Sequence, residues 1–153
     1  DRDGSNLEAR SNMAWGQFIA GQAFSNAGLG FVHSMAHQLG GLYDLPHGVA
    51  NAILLPHVER FNIPACAHKL KKIAEVMGVD VSKMDDNQGA NAAIKAIEKL
   101  SVAVGIPTGL KALGVKEKDF EEMAQNAILD VCTGGNPQDV TADDAITIYQ
   151  AAM

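Results

Sequence analysis

Cysteine is scarce in this sequence: Cys66 and Cys132 are its only two, and a long stretch of chain separates them. So few cysteines, placed so far apart, indicate no disulfide framework and are typical of a protein in a reducing compartment. The first residues are polar and acidic and do not resemble a secretory signal. We therefore expect a cytoplasmic protein.

Basic residues are also few, with 12 lysines and arginines against 18 aspartates and glutamates, for a net charge of −6. The two signs are interspersed and form no basic stripe, so nucleic acid is not an expected partner. Long apolar runs are missing too, because the stretch from Val49 to Leu55 is too short to cross a bilayer. We expect no membrane partner.

The sequence lacks any segment that alternates like a β-strand and any glycine-rich turn after a strand, so it contains no dinucleotide-binding unit. Aromatic residues make up 5% of the chain and hydrophobic residues 47%, many of them alanine, which suits close-packed helices. The length allows one domain with a core. The expected fold is all-α, a multi-helix bundle over residues 1–153.

Apolar periodicity and breaker residues predict where the helices lie. The first runs from Leu7 to about Ser25 and is expected to pack beneath the histidine-rich stretch that follows it. The next runs from Leu29 to Leu39, where Gly40 and Gly41 are predicted to end it. The remaining predicted helices are 46–61, 65–77, 87–104, 110–113, 118–130 and a last one that reaches 153.

Prolines and polar pairs refine these boundaries. Pro56 is expected to kink or split the 46–61 helix, and residues 62–64 (Asn-Ile-Pro) are expected to break the chain. Asp85 with Gln88 is predicted to cap the 87–104 helix, and residues 141–144 to cap the last one.

Four of the five histidines lie between Gly28 and His57. His33 and His37 are four residues apart, so they share one face of a helix. His47 follows Pro46 at the start of the next helix, and the turn between the helices can bring it to His33. Imidazole is the commonest side-chain metal ligand near neutral pH. The pattern therefore predicts a candidate site for a divalent cation.

Simpler structural interpretations compete with this one. A histidine on an apolar helix is more often a hydrogen-bonded core residue, and two histidines fall short of the ligands that zinc or iron needs. His57, and the pair Cys66 and His68, are more simply structural. Residues 132–137 (Cys-Thr-Gly-Gly-Asn-Pro) form either a helix connector or a close backbone approach to a ligand.

Residues 24–57, FSNAGLGFVHSMAHQLGGLYDLPHGVANAILLPH, resemble the signature region of the iron-containing (group III) alcohol dehydrogenases. Within that family the resemblance is strongest to the lactaldehyde reductase and propanediol oxidoreductase branch. It continues through residues 104–107 and 132–137 to the C-terminus. Family members have an N-terminal nucleotide-binding domain before a helical domain of the dehydroquinate synthase type. This chain resembles the helical domain, and we expect the nucleotide-binding domain to be absent from it.

The resemblance also implies a function. It implies an enzyme that interconverts short-chain alcohols or propanediol-like diols and their aldehydes with NAD and Fe²⁺, with Zn²⁺ as an alternative metal. His33 and His47 match two of four metal ligands, and the other two, an Asp and a His, would precede Asp1. His37 matches an active-site residue that orients the substrate or relays its proton, and Cys132 a position beside the nicotinamide.

The family's full-length enzymes are commonly dimers or larger, so a homodimer or larger assembly is expected here. With half of the ligand set missing, we expect the isolated chain to bind metal weakly and to have no activity. Two other hypotheses stay open: a self-contained helical module that binds a metal or a partner, and a zinc-dependent enzyme of the glycerol dehydrogenase type. Ligand types separate these metals poorly.

Overall fold

The computed structural model describes residues 3–153, which form six α-helices and three short 3₁₀ helices and no strand. The α-helices are α1 (Leu7–Ala27), α2 (Phe31–Tyr43), α3 (His47–Val76), α4 (Asp86–Ala103), α5 (Phe120–Leu129) and α6 (Ala142–Ala151). The 3₁₀ helices are Leu110–Leu113, Glu117–Asp119 and Val131–Gly135. The predicted all-α, multi-helix fold is confirmed.

The main core lies between α2, the first half of α3, α5 and α6. Phe31, Met35 and Leu39 recur every fourth residue along α2 and are fully buried, since residues at that spacing share one helix face. The buried hydroxyl of Tyr149 in α6 donates to the carbonyl of Met35 at 2.9 Å. One face of α2 is thus anchored in the core, and the opposite face is left for the histidines.

The prediction that Gly40 and Gly41 end α2 is wrong, because the helix continues to Tyr43. It ends at Asp44, whose φ of 53° is left-handed and whose N–H donates to the carbonyl of Gly40 at 3.0 Å. A glycine permits a helix end without enforcing one. Here the capping bond forms at an aspartate, one of the few other residues that adopt this conformation readily.

The break predicted at residues 62–64 lies slightly further along, at Cys66. α3 contains both Pro56 and Pro64, and its backbone leaves helical angles at Cys66, with φ −139° and ψ 23°. The thiol of Cys66 donates to the carbonyl of Asn62 at 3.2 Å, the acceptor that a regular helix would pair with the Cys66 N–H. Backbone angles stay helical at Pro56, so the helix is not split there.

The second half of α3 packs against α4 around a smaller core. Its buried members are Cys66, Leu70, Ala74, Val81, Ala90 and Ala93. The predicted capping pair of α4 is confirmed, because Asp85 and Gln88 each accept the backbone N–H of the other, at 2.8 and 3.0 Å. The pair at residues 141–144 is confirmed in the same way at the start of α6. Each pair satisfies amides that a helix start leaves free.

The predicted packing of α1 beneath the histidine stretch is wrong for this chain. α1 is helical but has no buried residue. Its large apolar side chains are all exposed, namely Leu7, Met13, Trp15, Phe18, Ile19 and Phe24. A helix buries apolar residues only against a neighbouring element, and nothing between residues 3 and 153 covers this one.

None of the helices in the described part of the chain is long and apolar enough to span a bilayer.

Candidate metal centre

Three imidazoles come together where α2 turns back into α3. The ring centroids of His33 and His47 are 5.3 Å apart, those of His37 and His47 5.5 Å, and those of His33 and His37 6.3 Å. His33 is half-buried and the other two are exposed. The turn through Asp44 and Pro46 sets this geometry. The expectation that His33 and His47 meet at one point is confirmed.

The spacing of His33 and His47 suits a shared metal ion. Two imidazoles that bind one tetrahedral ion at about 2.1 Å hold their ring centroids roughly 5 Å apart, and the observed separation is 5.3 Å. Within residues 3–153, no side chain hydrogen-bonds a ring nitrogen of His33, whereas Nε2 of His47 lies 3.1 Å from Nδ2 of Asn51. The pair fits as half of a ligand set, and its role as such stays a prediction.

The protonation state of His33 also suits a ligand. Burial lowers the pKa of His33, and the neighbouring imidazoles of His47 and His37 lower it further, while Asp130 acts in the opposite direction. Only the neutral ring offers a lone pair to a metal ion. The surroundings of His33 therefore favour the form that binds.

A cavity of about 760 Å³ opens beside His33. It lies between the start of α2, the length of α3 and residues 135–137, and Gly48 and Asn51 line it together with His33. Oδ1 of Asn51 is buried and has no hydrogen-bond partner among the residues described. Cavities of this volume accommodate small organic ligands. Of the four residues predicted from the sequence, His33 is the one that lines it.

His37 is tied to Asp130, at the end of α5. Nδ1 of His37 lies 2.8 Å from Oδ2 of Asp130, and Oδ1 of Asp130 accepts the backbone N–H of Cys132 at 2.9 Å. Burial raises the pKa of Asp130, but the hydrogen bonds from Cys132 and His37 outweigh burial and lower it overall. An ionised carboxylate only accepts, so the Nδ1–H of His37 donates, and in the neutral form of the ring Nε2 is the nitrogen that carries the lone pair.

Cys132 lies in the 3₁₀ helix Val131–Gly135, next to this pair. One ligand atom each of Cys132, His37 and Asp130 lies within 4.8 Å of the others. Burial raises the pKa of the Cys132 thiol, and the hydrogen bond and charge of Asp130 raise it further. The structure therefore places Cys132 beside the histidine cluster. Its contact with a nicotinamide stays a prediction.

Sequence analysis did not identify Asp130 or Asn51. The available signal for Asp130 was its position at the end of an apolar helix, two residues before Cys132, where an aspartate can cap the next turn. The only sequence signal for Asn51 was its position one helical turn after His47. The structure is consistent with the structural roles expected of Cys66 and His57. Cys66 is buried in the smaller core. Burial lowers the pKa of His57, and the charge of Arg60 lowers it further.

Residues 2–153 match the family described as "Fe-containing alcohol dehydrogenase family, C-terminal". The 1,3-propanediol dehydrogenase of Klebsiella pneumoniae is 51% identical over 150 residues, which is 98% of this chain and 39% of that protein. The lactaldehyde reductase of Escherichia coli K12 is 50% identical over 145 residues, or 95% of this chain and 38% of that protein. The chain therefore spans well under half the length of these relatives.

Solved structures of alcohol dehydrogenases also match nearly all of this chain and well under half of their own length. A crystal structure of 1,3-propanediol oxidoreductase superposes with a TM-score of 0.96 at 50% identity, over 98% of this chain and 39% of that one. An alcohol dehydrogenase from Oenococcus oeni superposes with a TM-score of 0.97 at 44% identity, over 99% of this chain and 39% of that one.

Proposed function

The chain belongs to the iron-containing alcohol dehydrogenase family, and we propose that it is the C-terminal helical domain of a longer enzyme whose N-terminal domain binds the nucleotide. The family match is to the C-terminal part, and the chain corresponds to 39% of its 1,3-propanediol dehydrogenase relative. The exposed apolar side chains of α1 support the same proposal, because such a helix needs a covering element.

The proposed reaction is the interconversion of a short-chain alcohol or propanediol-like diol and its aldehyde with NAD(H). The names of the relatives, a 1,3-propanediol dehydrogenase and a lactaldehyde reductase, support this substrate class. The single observation that carries the proposal is the 5.3 Å separation of His33 and His47, next to a cavity large enough for a substrate.

His33 and His47 would hold half of the ligand set of a divalent iron, with zinc as the alternative ion. When bound, such an ion would supply Lewis acidity toward the alcohol or aldehyde oxygen. The chain's own contribution is to present two imidazoles from adjacent helices, with His33 kept neutral by burial and by its neighbours.

His37 is proposed to move the substrate's proton. With its Nδ1–H donated to Asp130, Nε2 is free to accept a proton from the substrate hydroxyl or to return one to the aldehyde oxygen. The side chain is 40% exposed, which gives the proton a path to solvent. Cys132 is proposed to form part of the wall against which the nicotinamide lies.

The test is to purify the full-length protein and to measure NADH formation with 1,2- and 1,3-propanediol, and NADH consumption with the matching aldehydes. We expect turnover that a chelator abolishes and Fe²⁺ restores. Residues 1–153 alone, assayed in parallel, should give none. Absence of turnover by the iron-loaded full-length protein with a range of short alcohols would refute the proposal.

A self-contained metal module is the second candidate, because His37, Asp130 and Cys132 also lie within reach of one ion. Titration of residues 1–153 with Zn²⁺ separates the two. Tight, stoichiometric binding would favour the module, and weak binding would favour a ligand set completed by the rest of the enzyme. Metal analysis of the purified full-length protein distinguishes iron from the zinc of a glycerol dehydrogenase-like enzyme.

A homodimer or larger assembly and a cytoplasmic location belong to the same proposal. Both cysteines are free thiols, which suits a reducing compartment. Light scattering on the full-length protein tests the assembly, and a monomer at working concentration would contradict it.

A further inference from the structure

Residues 130–136 contact α2 at three evenly spaced points. Asn136 Oδ1 accepts the N–H of Phe31 at 3.4 Å, the Thr133 hydroxyl lies 2.8 Å from Oγ of Ser34, and Asp130 accepts the Nδ1–H of His37 at 2.8 Å. The two segments run in opposite directions, because rising numbers on α2 meet falling numbers on the other segment. This stretch, residues 130–136, is called the brace below.

The even spacing has a simple geometric cause. Residues three apart lie on one face of an α-helix, and a 3₁₀ helix has three residues per turn, so its residues three apart are eclipsed. The brace contains the 3₁₀ helix Val131–Gly135 and begins at Asp130. The 3₁₀ helix supplies the middle contact, at Thr133, and its two capping residues, Asp130 and Asn136, supply the outer ones.

The far end of the brace is fixed by a pair of amides. Asn136 and Asn62 exchange two hydrogen bonds, at 2.9 and 3.0 Å, and Asn62 is only 2% exposed. A Cβ added at Gly135 would overlap the carbonyl oxygen of Leu29. The brace consequently has no room to slide along α2.

The middle contact is equally constrained. Ser34 is fully buried, and the Thr133 hydroxyl also lies 2.7 Å from the carbonyl oxygen of Ala127 in α5. With Asp130 held at one end and Asn136 at the other, the carboxylate of Asp130 has a fixed position relative to α2. The other oxygen of the Asp130 carboxylate accepts the N–H of Cys132, which fixes the rotation of the carboxylate.

We propose that Asp130 is a positioning residue, held by the brace, that keeps His37 in the tautomer with its proton on Nδ1 and its lone pair on Nε2. The catalytic consequence rests on the proposed function, since only an enzyme that uses His37 needs a particular tautomer. The structural part does not rest on the proposed function, because a carboxylate opposite Nδ1 selects this tautomer whether or not His37 takes part in catalysis. The two parts can therefore fail separately.

Asp130→Asn is the sharpest variant. The side-chain oxygen can keep the bond from the Cys132 N–H, which leaves the amide nitrogen facing Nδ1 of His37. Because that nitrogen donates, Nδ1 must accept, and the ring proton moves to Nε2. The substitution changes no volume, so the brace and the fold should persist. Circular dichroism and metal content check that they do.

The experiment uses the full-length enzyme with ¹⁵N-labelled histidine, with the His37 signals assigned from a His37→Ala sample. We expect the ring nitrogen shifts to report Nδ1–H in the wild type and Nε2–H in Asp130→Asn. We expect kcat to fall by about 100-fold, the lower range of a general acid–base contribution, with bound metal and KM little changed. Asp139→Asn, the same substitution at an exposed residue outside the brace, should leave tautomer and kcat as in the wild type.

A wild-type ring protonated on Nε2, or an Asp130→Asn ring still protonated on Nδ1, would overturn the positioning role. A tautomer that switches in an enzyme whose kcat does not fall would overturn its catalytic part. A wild-type protein with no turnover, in which the tautomer still switches, would instead refute the proposed function and leave the positioning role standing.

Discussion

The imidazoles of His33 and His47 lie 5.3 Å apart, centroid to centroid, although they belong to different helices. The chain between them turns at Asp44, in a left-handed conformation, and Pro46 precedes α3. The juxtaposition therefore depends on a short local segment rather than on distant parts of the fold. It is the basis of the first prediction.

Replacing either ligand candidate should remove metal and activity together. In the full-length enzyme we expect His33→Ala and His47→Ala to retain less than about a tenth of the wild-type iron, because loss of a ligand should weaken binding by at least the roughly 10–100-fold that loss of an outer-shell partner costs. Metal analysis by mass spectrometry and NADH turnover measure the two effects. His68→Ala, an exposed histidine elsewhere on α3, is the control. Full metal occupancy in either variant would refute the assignment of that histidine as a metal ligand.

Two adjacent glycines should respond very differently to alanine. A Cβ at Gly135 would overlap the Leu29 carbonyl, whereas a Cβ at Gly134 meets nothing within 4 Å. We expect Gly135→Ala to lower the free energy of unfolding by about 1–3 kcal/mol, as overpacking does, and Gly134→Ala to change it little. Denaturant unfolding of both variants measures this. Equal effects would show that the brace is not closely packed.

The amide pair of Asn62 and Asn136 should be coupled. Asn62→Ala leaves a polar group of Asn136 without its partner, so we expect a loss of about 1–3 kcal/mol in the free energy of unfolding. The double variant with Asn136→Ala should lose less than the sum of the single losses. A double-mutant cycle by urea unfolding measures the difference. Additive losses would mean that the two hydrogen bonds contribute nothing together.

Glu59 should make stability depend on pH. Burial raises its pKa above the ordinary value of 4.5, so between that value and the folded-state pKa the folded chain holds a proton that the unfolded chain has lost. This contribution to stability is present at low pH and is lost as the pH rises. The other charged or titratable groups that line the same cavity are His33, Cys66 and Lys69.

We therefore expect Glu59→Gln to be more stable than the wild type at about pH 7, and the gain to vanish at about pH 4. Denaturant unfolding at both values checks this. Glu75→Gln, at an exposed position of the same helix, is the matched comparison. A gain of the same size at both pH values would point to packing instead of ionisation.

The exposed apolar face of α1 should be detectable by fluorescence when residues 1–153 are studied alone. Trp15, the only tryptophan of residues 1–153, is 64% exposed and packs edge to face on Phe18, which is 52% exposed. We expect acrylamide to quench its fluorescence readily in residues 1–153 and poorly in the full-length enzyme. Phe18→Ser should reduce binding of an apolar dye while changing the free energy of unfolding by less than about 0.5 kcal/mol. A larger loss would mean that Phe18 is packed in the chain alone.

Helices and caps were predicted well, and their ends less so, for reasons that individual residues show. The capping boxes at Asp85 and Thr141 form because each bond joins residues three apart and needs no distant partner. Gly40 failed to end α2 because glycine only permits a turn, and the cap formed at Asp44. Near Pro64 the sequence indicated a break in the helix but not its position. The non-helical backbone angles occur at Cys66, whose thiol donates to the carbonyl of Asn62.

By itself the sequence determined the all-α class, the caps, and the meeting of His33 with His47, because all of these depend on contacts between residues close in the chain. Only the tertiary structure decided that Asp130 orients His37 and that Asn62 holds Asn136, since those partners lie 93 and 74 residues apart. It also decided that no other element of residues 3–153 covers α1. A sequence states which side chains can bind one another, but pairing between distant segments follows from how the helices pack, and that is a property of the whole core.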